Sequence, residues 1–538
     1  MVKHGITPDC WNTSHIYPIP KASDSITIDK FRPIALTPML RRIFENIFLQ
    51  YLNSLELSHF DPLQAGFRSG FSTMTHSVIS HDLFYLKNDD QRLDRIFIDL
   101  KQAYDRVDID ILLNKLKKRS DSDLITNVIY SLFTNCYSTV SINGSISQPF
   151  KRQRGLFQGS ILSPFLFNIY IDDLITSLSN NEKIPSALLF ADDIQLMPKN
   201  YDEAKKLLKI VEEWCIYNRM QINVQKSGYI GPSDWRLTID GLELPKPSSY
   251  KYLGLPVIKG GIDWKSFVLD STKRSNGVLK FMQVKGNNWP PITRLMLYRS
   301  NIRSLWEYAA PLMSIALKDT EFDLIEAVQE RSLAWVLGSS DHSGHQYRRL
   351  FRSLSGIESI VDRFETLQIK FGIHVANSSA SNPLYELISQ IEINNSMASN
   401  ESLIKNNIHN HSEFRIIKPN IKKNGYIRNY LCKRKVGLLS ITRSDSDRIK
   451  YLNKSSRHRR SAADVSLYVK DKFLSRLAIK WRMSTIFFKK TCVKCKNPFR
   501  ISHLNDCFNV TGTDELFNFR DISELENRLK YIQSMYKL

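Results

Sequence analysis

The sequence predicts an α+β fold. Short apolar runs alternate with helical periodicity between residues 91 and 255, two apolar arms flank an acid pair in LLFADDIQLM, and residues 256–375 read as mostly helical. With 538 residues, 42% of them apolar, the chain is long enough for about three domains with sizeable cores.

Residues 1–90 contain extended pieces, HIYPIPK and FRPIALTPML, running into one amphipathic helix, RRIFENIFLQYLNSL, and then a flexible loop, QAGFRSGFST. Within 91–255, RIFIDL is a short strand ending in Asp99, and SLFTNCYSTVSING alternates like a strand approaching an Asn-Gly turn. LSPFLFNIYIDDLITSL has helical length, and LLFADDIQLM reads as a β-hairpin with Asp192 and Asp193 at its turn. YDEAKKLLKIVEEWCIYNRM is an amphipathic helix, followed by strand-like INVQKSGYI and YKYLGLPVI. Residues 376–412 are Asn/Ser-rich and read as a linker, 413–490 are strongly basic, and 491–538 hold a cysteine cluster and tail.

The balance of 75 Lys plus Arg against 54 Asp plus Glu leaves a net charge of +21, which favours a polyanionic partner through counterion release at phosphates. No stretch approaches the roughly eighteen uninterrupted apolar residues of a membrane span, so no membrane partner is expected. Seven scattered cysteines suit a reducing compartment, and MVKHGITPDCWN lacks the apolar core of a signal peptide. These features predict an intracellular protein.

An Asp at a strand end or turn commonly bonds its own backbone, and each acid taken singly has that reading. Their order along the chain points elsewhere: a strand ending in Asp99, a Gln-Gly loop, then the Asp192–Asp193 hairpin. If strand and hairpin neighbour each other in one sheet, three carboxylates project from one edge. Hard oxygen ligands of that kind suit the two magnesium ions that nucleotidyl transfer requires.

FIDLKQAYDRVD resembles the first catalytic motif of reverse transcriptases, RGLFQGSILSPFLFNIYIDDL the second and FADD the third. The resemblance implies a right-hand polymerase: fingers over 1–90, a palm with an antiparallel sheet over 91–255, and a helical thumb over 256–375. A basic helical region and a small CCHC zinc module would follow. It implies that Asp99, Asp192 and Asp193 are catalytic and bind two Mg2+. Tyr104, five residues after Asp99, would lie beneath the incoming sugar and exclude a ribose 2′-hydroxyl; a core aromatic beside a strand is the other reading. Gln158 and Gly159 would lie against the incoming nucleotide, where glycine permits close approach. Lys21 and Arg32 would contact the triphosphate. Lys226 stands where a lysine of such polymerases could protonate pyrophosphate, given an environment that changes its ordinary pKa of about 10.4. YKYLGLPV resembles a turn that grips the primer end, although Tyr252 equally suits a core.

FADD and LSPFLFNIYIDDL favour the non-LTR (LINE-type) retrotransposon branch, and RSLSGIESIVDRFETLQIKFGIH resembles its thumb region. The partners implied are template RNA, a DNA primer or target, and deoxynucleoside triphosphates. Cys492, Cys495, His503 and Cys507, spaced C-x2-C-x7-H-x3-C, are similar to the zinc knuckle that ends many such elements, with one residue fewer than usual before the last Cys. Unrelated buried cysteines are the alternative. The Lys-Ala-Pro-Gly-Pro-Asp-Gly-like signature of the upstream fingers is not found before Trp11, which predicts truncated fingers. No endonuclease domain is expected, so this polypeptide is not expected to nick its own target, and the sequence leaves open whether a separate endonuclease does. The leading expectation is an RNA-directed DNA polymerase. An inactive product that only binds RNA or DNA is the alternative, and Tyr104 and FADD speak against an RNA-dependent RNA polymerase. Integration would place the protein in the nucleus after a cytoplasmic ribonucleoprotein stage.

Overall fold

The computed structural model of the chain describes residues 5–21, 27–55, 57–85, 94–179, 185–286, 288–339, 351–376 and 464–469, with a few isolated positions beyond. The linker from 377, most of the basic segment 413–490, and Cys492, Cys495, His503 and Cys507 lie outside the described residues. What is described forms two compact units that part between Asp263 and Trp264.

The first unit begins with β1 (Thr13–Pro20) and β2 (Phe31–Leu36), an antiparallel pair, followed by α1 (Met39–Ser54). Helix α1 turns Arg41, Glu45, Phe48 and Leu52 inward at helical spacing, as an amphipathic helix must. A second helix, α2 (Thr73–Tyr85), follows the loop, where only one helix was expected within 1–90. Residues 74–81 are buried without a break, polar ones included, so α2 carries no apolar-polar stripe by which periodicity could reveal it.

β3 (Arg95–Asp99) leads through the short helix α3 (Ala103–Arg106) to α4 (Ile109–Ser120) and α5 (Asp123–Phe133). Asp108 caps α4 by accepting from Ile111 N at 3.1 Å. Strand β4 (Tyr137–Ile142) starts later than the alternation from Ser131 suggested, because Ser131–Phe133 complete α5. β5 (Ser145–Ile146) and β6 (Phe150–Lys151) pair with β4, which runs parallel to β1.

Helix α6 (Ser163–Leu178) is buried over most of its circumference and leads to the hairpin of β7 (Ala187–Phe190) and β8 (Asp193–Leu196). Amphipathic α7 (Tyr201–Tyr217) follows, then β9 (Gly228–Ile230). Only these three residues of INVQKSGYI form a strand; Lys226 lies in the turn before it. The central sheet runs β7-β8-β3-β9, antiparallel throughout. Its Ile96, Ile98, Leu189 and Ile194 join the main core with α4 to α7, whereas Phe97 packs on the other face with Tyr252, Ile230 and Val257. Two short strands, β10 (Thr238–Ile239) and β11 (Leu242–Glu243), pair with each other, and β12 (Ser249–Tyr252), β13 (Leu255–Ile258) and β14 (Gly261–Ile262) form a three-stranded sheet.

The second unit is helical: α8 (Trp264–Lys285), α9 (Pro291–Leu297), a π-helical stretch Tyr298–Arg303, α10 (Ser304–Glu307), α11 (Ala310–Ala316), α12 (Asp319–Leu337) and α13 (Ile360–Ala376). Its core centres on buried Trp306 and Tyr298, whose hydroxyl donates to Gln329 Oε1 at 2.7 Å. Arg363 grips both carboxylate oxygens of Glu307, at 2.6 and 3.2 Å.

Candidate active site

β3 and β8 are buried on both faces up to their acid ends, and their pairing sets Asp99 opposite Asp193. Asp192 occupies the β7–β8 turn beside Ala191, whose φ of 56° is left-handed. Burial raises the Asp99 carboxyl, opposed by Lys226, by a hydrogen bond from the Asn223 side chain and by Lys21. For Asp192 burial again dominates; its own backbone N–H lowers it, Asp99 raises it, and Arg32 lowers it. Asp193 is walled in by protein yet open to solvent on one side, and burial with the charges of Asp192 and Asp99 pushes it up to about 7. Three acids that penalise one another's ionisation, ringed by three cations, form a site with a stored demand for positive charge. Among the described residues no group of three or more His, Cys, Asp or Glu side chains is gathered tightly enough to enclose a metal ion. The acids are neighbours in register, and their hard oxygens are the donor type magnesium takes.

Tyr104 stacks on Phe167, centroids 4.9 Å apart and planes 10° from parallel, and meets the edge of Phe67 at 6.2 Å. Burial first, then Asp192, raises its phenol pKa. Gln158 donates from Nε2 to Asp105 Oδ2 at 3.1 Å, and its carbonyl accepts from Ala35 N at 2.7 Å. Gly159, at φ +130°, is so close to β2 that a Cβ would fall 2.5 Å from Ala35 O. Lys226 lies in a turn set against the end of β3, where Asn223 N donates to Asp99 O at 2.8 Å and Ser227 Oγ accepts from Asp99 N at 3.1 Å. The Lys226 carbonyl accepts from Tyr250 Oη at 2.9 Å, and the Tyr250 ring lies flat on Phe97 at 4.3 Å. Tyr252 is 4% exposed and belongs to the core.

Residues 19–257 match the family model described as reverse transcriptase (RNA-dependent DNA polymerase). Over that span the chain is similar to reverse transcriptases. Its relatives come from non-LTR retrotransposons. It is 26% identical over 57% of its length to the probable RNA-directed DNA polymerase from transposon BS of Drosophila melanogaster. It is 24% identical over 63% to the RNA-directed DNA polymerase from mobile element jockey of Drosophila funebris. To the retrovirus-related Pol polyprotein from type-1 retrotransposable element R2 of Popillia japonica it is 28% identical over 41%. The chain spans 36%, 39% and 32% of those relatives, respectively. Apo telomerase from Candida tropicalis is similar over 70% of this chain and 69% of that one, with a TM-score of 0.40 and 16% identity.

Within residues 19–257, residues that no motif flagged position the turn acids. Gln64, fully buried, accepts at Oε1 from Gly66 N at 3.0 Å and Ala191 N at 3.1 Å. Ala65 N donates to Leu189 O and Leu189 N to Leu63 O, each at 3.0 Å, so this loop extends the hairpin's edge. Asn168 Nδ2 donates to the Gly66 carbonyl at 2.8 Å. A Cβ on Gly66 would fall 2.9 Å from Ala191 Cα and closer still to its N. Gly66→Ala is therefore expected to cost about 1–3 kcal/mol and to displace the Asp192 turn; urea melts and primer extension by the variant read the two effects.

Proposed function

We propose that this protein is an RNA-directed DNA polymerase of a non-LTR retrotransposon, extending a DNA 3′ end along an RNA template. The observation that carries it is the pairing of Asp99 with Asp193 beside Asp192 in a domain of the reverse transcriptase family. Those carboxylates would hold two magnesium ions, which when bound supply an activated 3′-hydroxyl and charge neutralisation on the triphosphate. The protein's own part is positioning. Lys21 and Arg32, within electrostatic reach of Asp99 and Asp192 respectively, would bind triphosphate oxygens. Gln158 and Gly159, tied to β2 and Asp105, would carry the nucleotide's base and sugar, and Tyr104 would exclude a 2′-hydroxyl. Lys226, beside Asp99, would deliver a proton toward pyrophosphate.

A structural zinc held by Cys492, Cys495, His503 and Cys507 is part of this proposal on spacing alone. The net charge of +21 supports template RNA and DNA primer as partners. Work on chromatin would put the protein in the nucleus, after a cytoplasmic ribonucleoprotein stage.

Primer extension on an RNA template, with deoxynucleotides or ribonucleotides and magnesium, tests the proposal. Wild type is expected to make DNA, and Tyr104→Val to raise ribonucleotide incorporation about 10- to 100-fold relative to deoxynucleotide. Salt-sensitive nucleic-acid binding without extension would leave a binding protein in its place.

A further inference from the structure

We propose that Phe67 is a specificity-determining residue of the nucleotide pocket, packing with Tyr104 against the sugar of the incoming deoxynucleotide. This rests on the polymerase reading above. Phe67 is 56% exposed and holds a left-handed φ of 59°. A bulky aromatic is strained there, by about 1–2 kcal/mol. Among the described residues the fold recovers little for that strain, since Phe67 meets the ring of Tyr104 only edge-on, at 6.2 Å and 81°.

The loop is not loosely held. On one side Gly66 is bonded to Gln64 and Asn168 and packed on Ala191. On the other, Arg68 Nη1 donates to Asp61 O at 2.6 Å and Gln64 O at 2.7 Å, and its guanidinium lies 4.3 Å over the Phe71 ring. Phe67 is thus presented by a braced loop whose neighbour touches the turn that carries Asp192. An exposed, strained apolar ring held in place beside reacting groups is what a ligand contact requires. Tyr104 Oη is buried, with no hydrogen-bond partner among the described residues, and Asp192 lies within electrostatic range of it. A sugar set across the exposed edges of the two rings would bring Tyr104 Oη a hydroxyl as that partner and cover the Phe67 face.

The test measures capture of the next complementary deoxynucleotide or ribonucleotide by the full chain on an RNA template with a dideoxy-terminated DNA primer and magnesium. Wild type, Phe67→Ala, Phe67→Leu and Phe67→Tyr are compared, alongside their thermal melts. Phe67→Ala is expected to weaken deoxynucleotide capture about tenfold and to narrow the deoxy-to-ribo ratio, without lowering the melting temperature. Phe67→Tyr should retain capture, and Phe67→Leu should fall between. Unchanged capture and ratio in Phe67→Ala overturn the inference and leave the polymerase reading intact. Capture that depends on Phe67 in a chain that never extends an unblocked primer sustains the inference and removes the polymerase reading. Absence of nucleotide capture by wild type removes both.

Discussion

The double substitution Asp192→Ala with Asp193→Ala is expected to reduce primer extension on the order of 10³-fold or more, because charge stabilisation by carboxylate-held metals accounts for several kcal/mol of barrier lowering. The same change should stabilise the fold. Asp193 is pushed up to about 7 from 3.8 by burial and by the neighbouring carboxylates. The folded chain therefore binds this proton more tightly than the unfolded chain. Its contribution to stability is most favourable below about pH 4, declines as pH rises to about 7, and stays at its lower value above that. Removing the group at pH 8 relieves the penalty. With solvent access on one side, about 1 kcal/mol survives screening, or about 2–4 °C in melting temperature. Melting curves of wild type and Asp193→Asn at pH 8 and pH 4 check this: the variant should melt higher at pH 8, with the gap closing at pH 4. A variant that melts lower at both pH values would show that Asp193 supports the fold and is not held there for its charge.

The acids were legible because their signal is local. RIFID and LLF…DIQL each carry a run short enough for a strand with its acid at the end, and the pairing of β3 with β8 brings Asp99 opposite Asp193. Helix α6 and α7 were equally plain, one from its length and the other from its stripe. What the sequence hid depends on partners far away in the chain. Helix α2 shows no stripe because it is wrapped on every side, and Tyr252 could not be told from a primer contact until Phe97 was seen against it. QAGFRSGFST reads as a flexible loop, yet its Gln64 bonds Ala191, 127 residues away. Glycines and serines signal conformational freedom, and nothing in their spacing says that this freedom serves close packing on the Asp192 turn.

Glu45 is the other large case. Its Oε1 takes Arg41 Nε at 2.7 Å with both side chains fully buried, while Oε2 accepts from Ser160 Oγ at 2.8 Å and Ile161 N at 2.9 Å. Arg41 in turn donates to Trp11 O at 3.0 Å and lies over the rings of Phe157, at 4.8 Å, and Phe133, at 5.3 Å. One buried charge pair thus ties α1 to the segment directly after Gln158 and Gly159. Glu45→Ala leaves a buried guanidinium unpaired and two donors unanswered, and is expected to cost about 3–5 kcal/mol in urea melts. A loss that large could mask any effect on nucleotide binding, so Ser160→Ala separates the two. It removes two hydrogen bonds of about 1 kcal/mol each, Ser160 Oγ to Glu45 and Leu162 N to Ser160 Oγ, and leaves the charge pair whole. If Glu45 acts by holding the Gln158–Gly159 turn in place, Ser160→Ala should raise the KM for deoxynucleotide with little change in kcat, since the turn loses a tether while the acids keep theirs. An unchanged KM would show that the Ser160 tether does not set nucleotide binding, and the turn would then be held by Ala35, Asp105 and the Ile161–Glu45 bond.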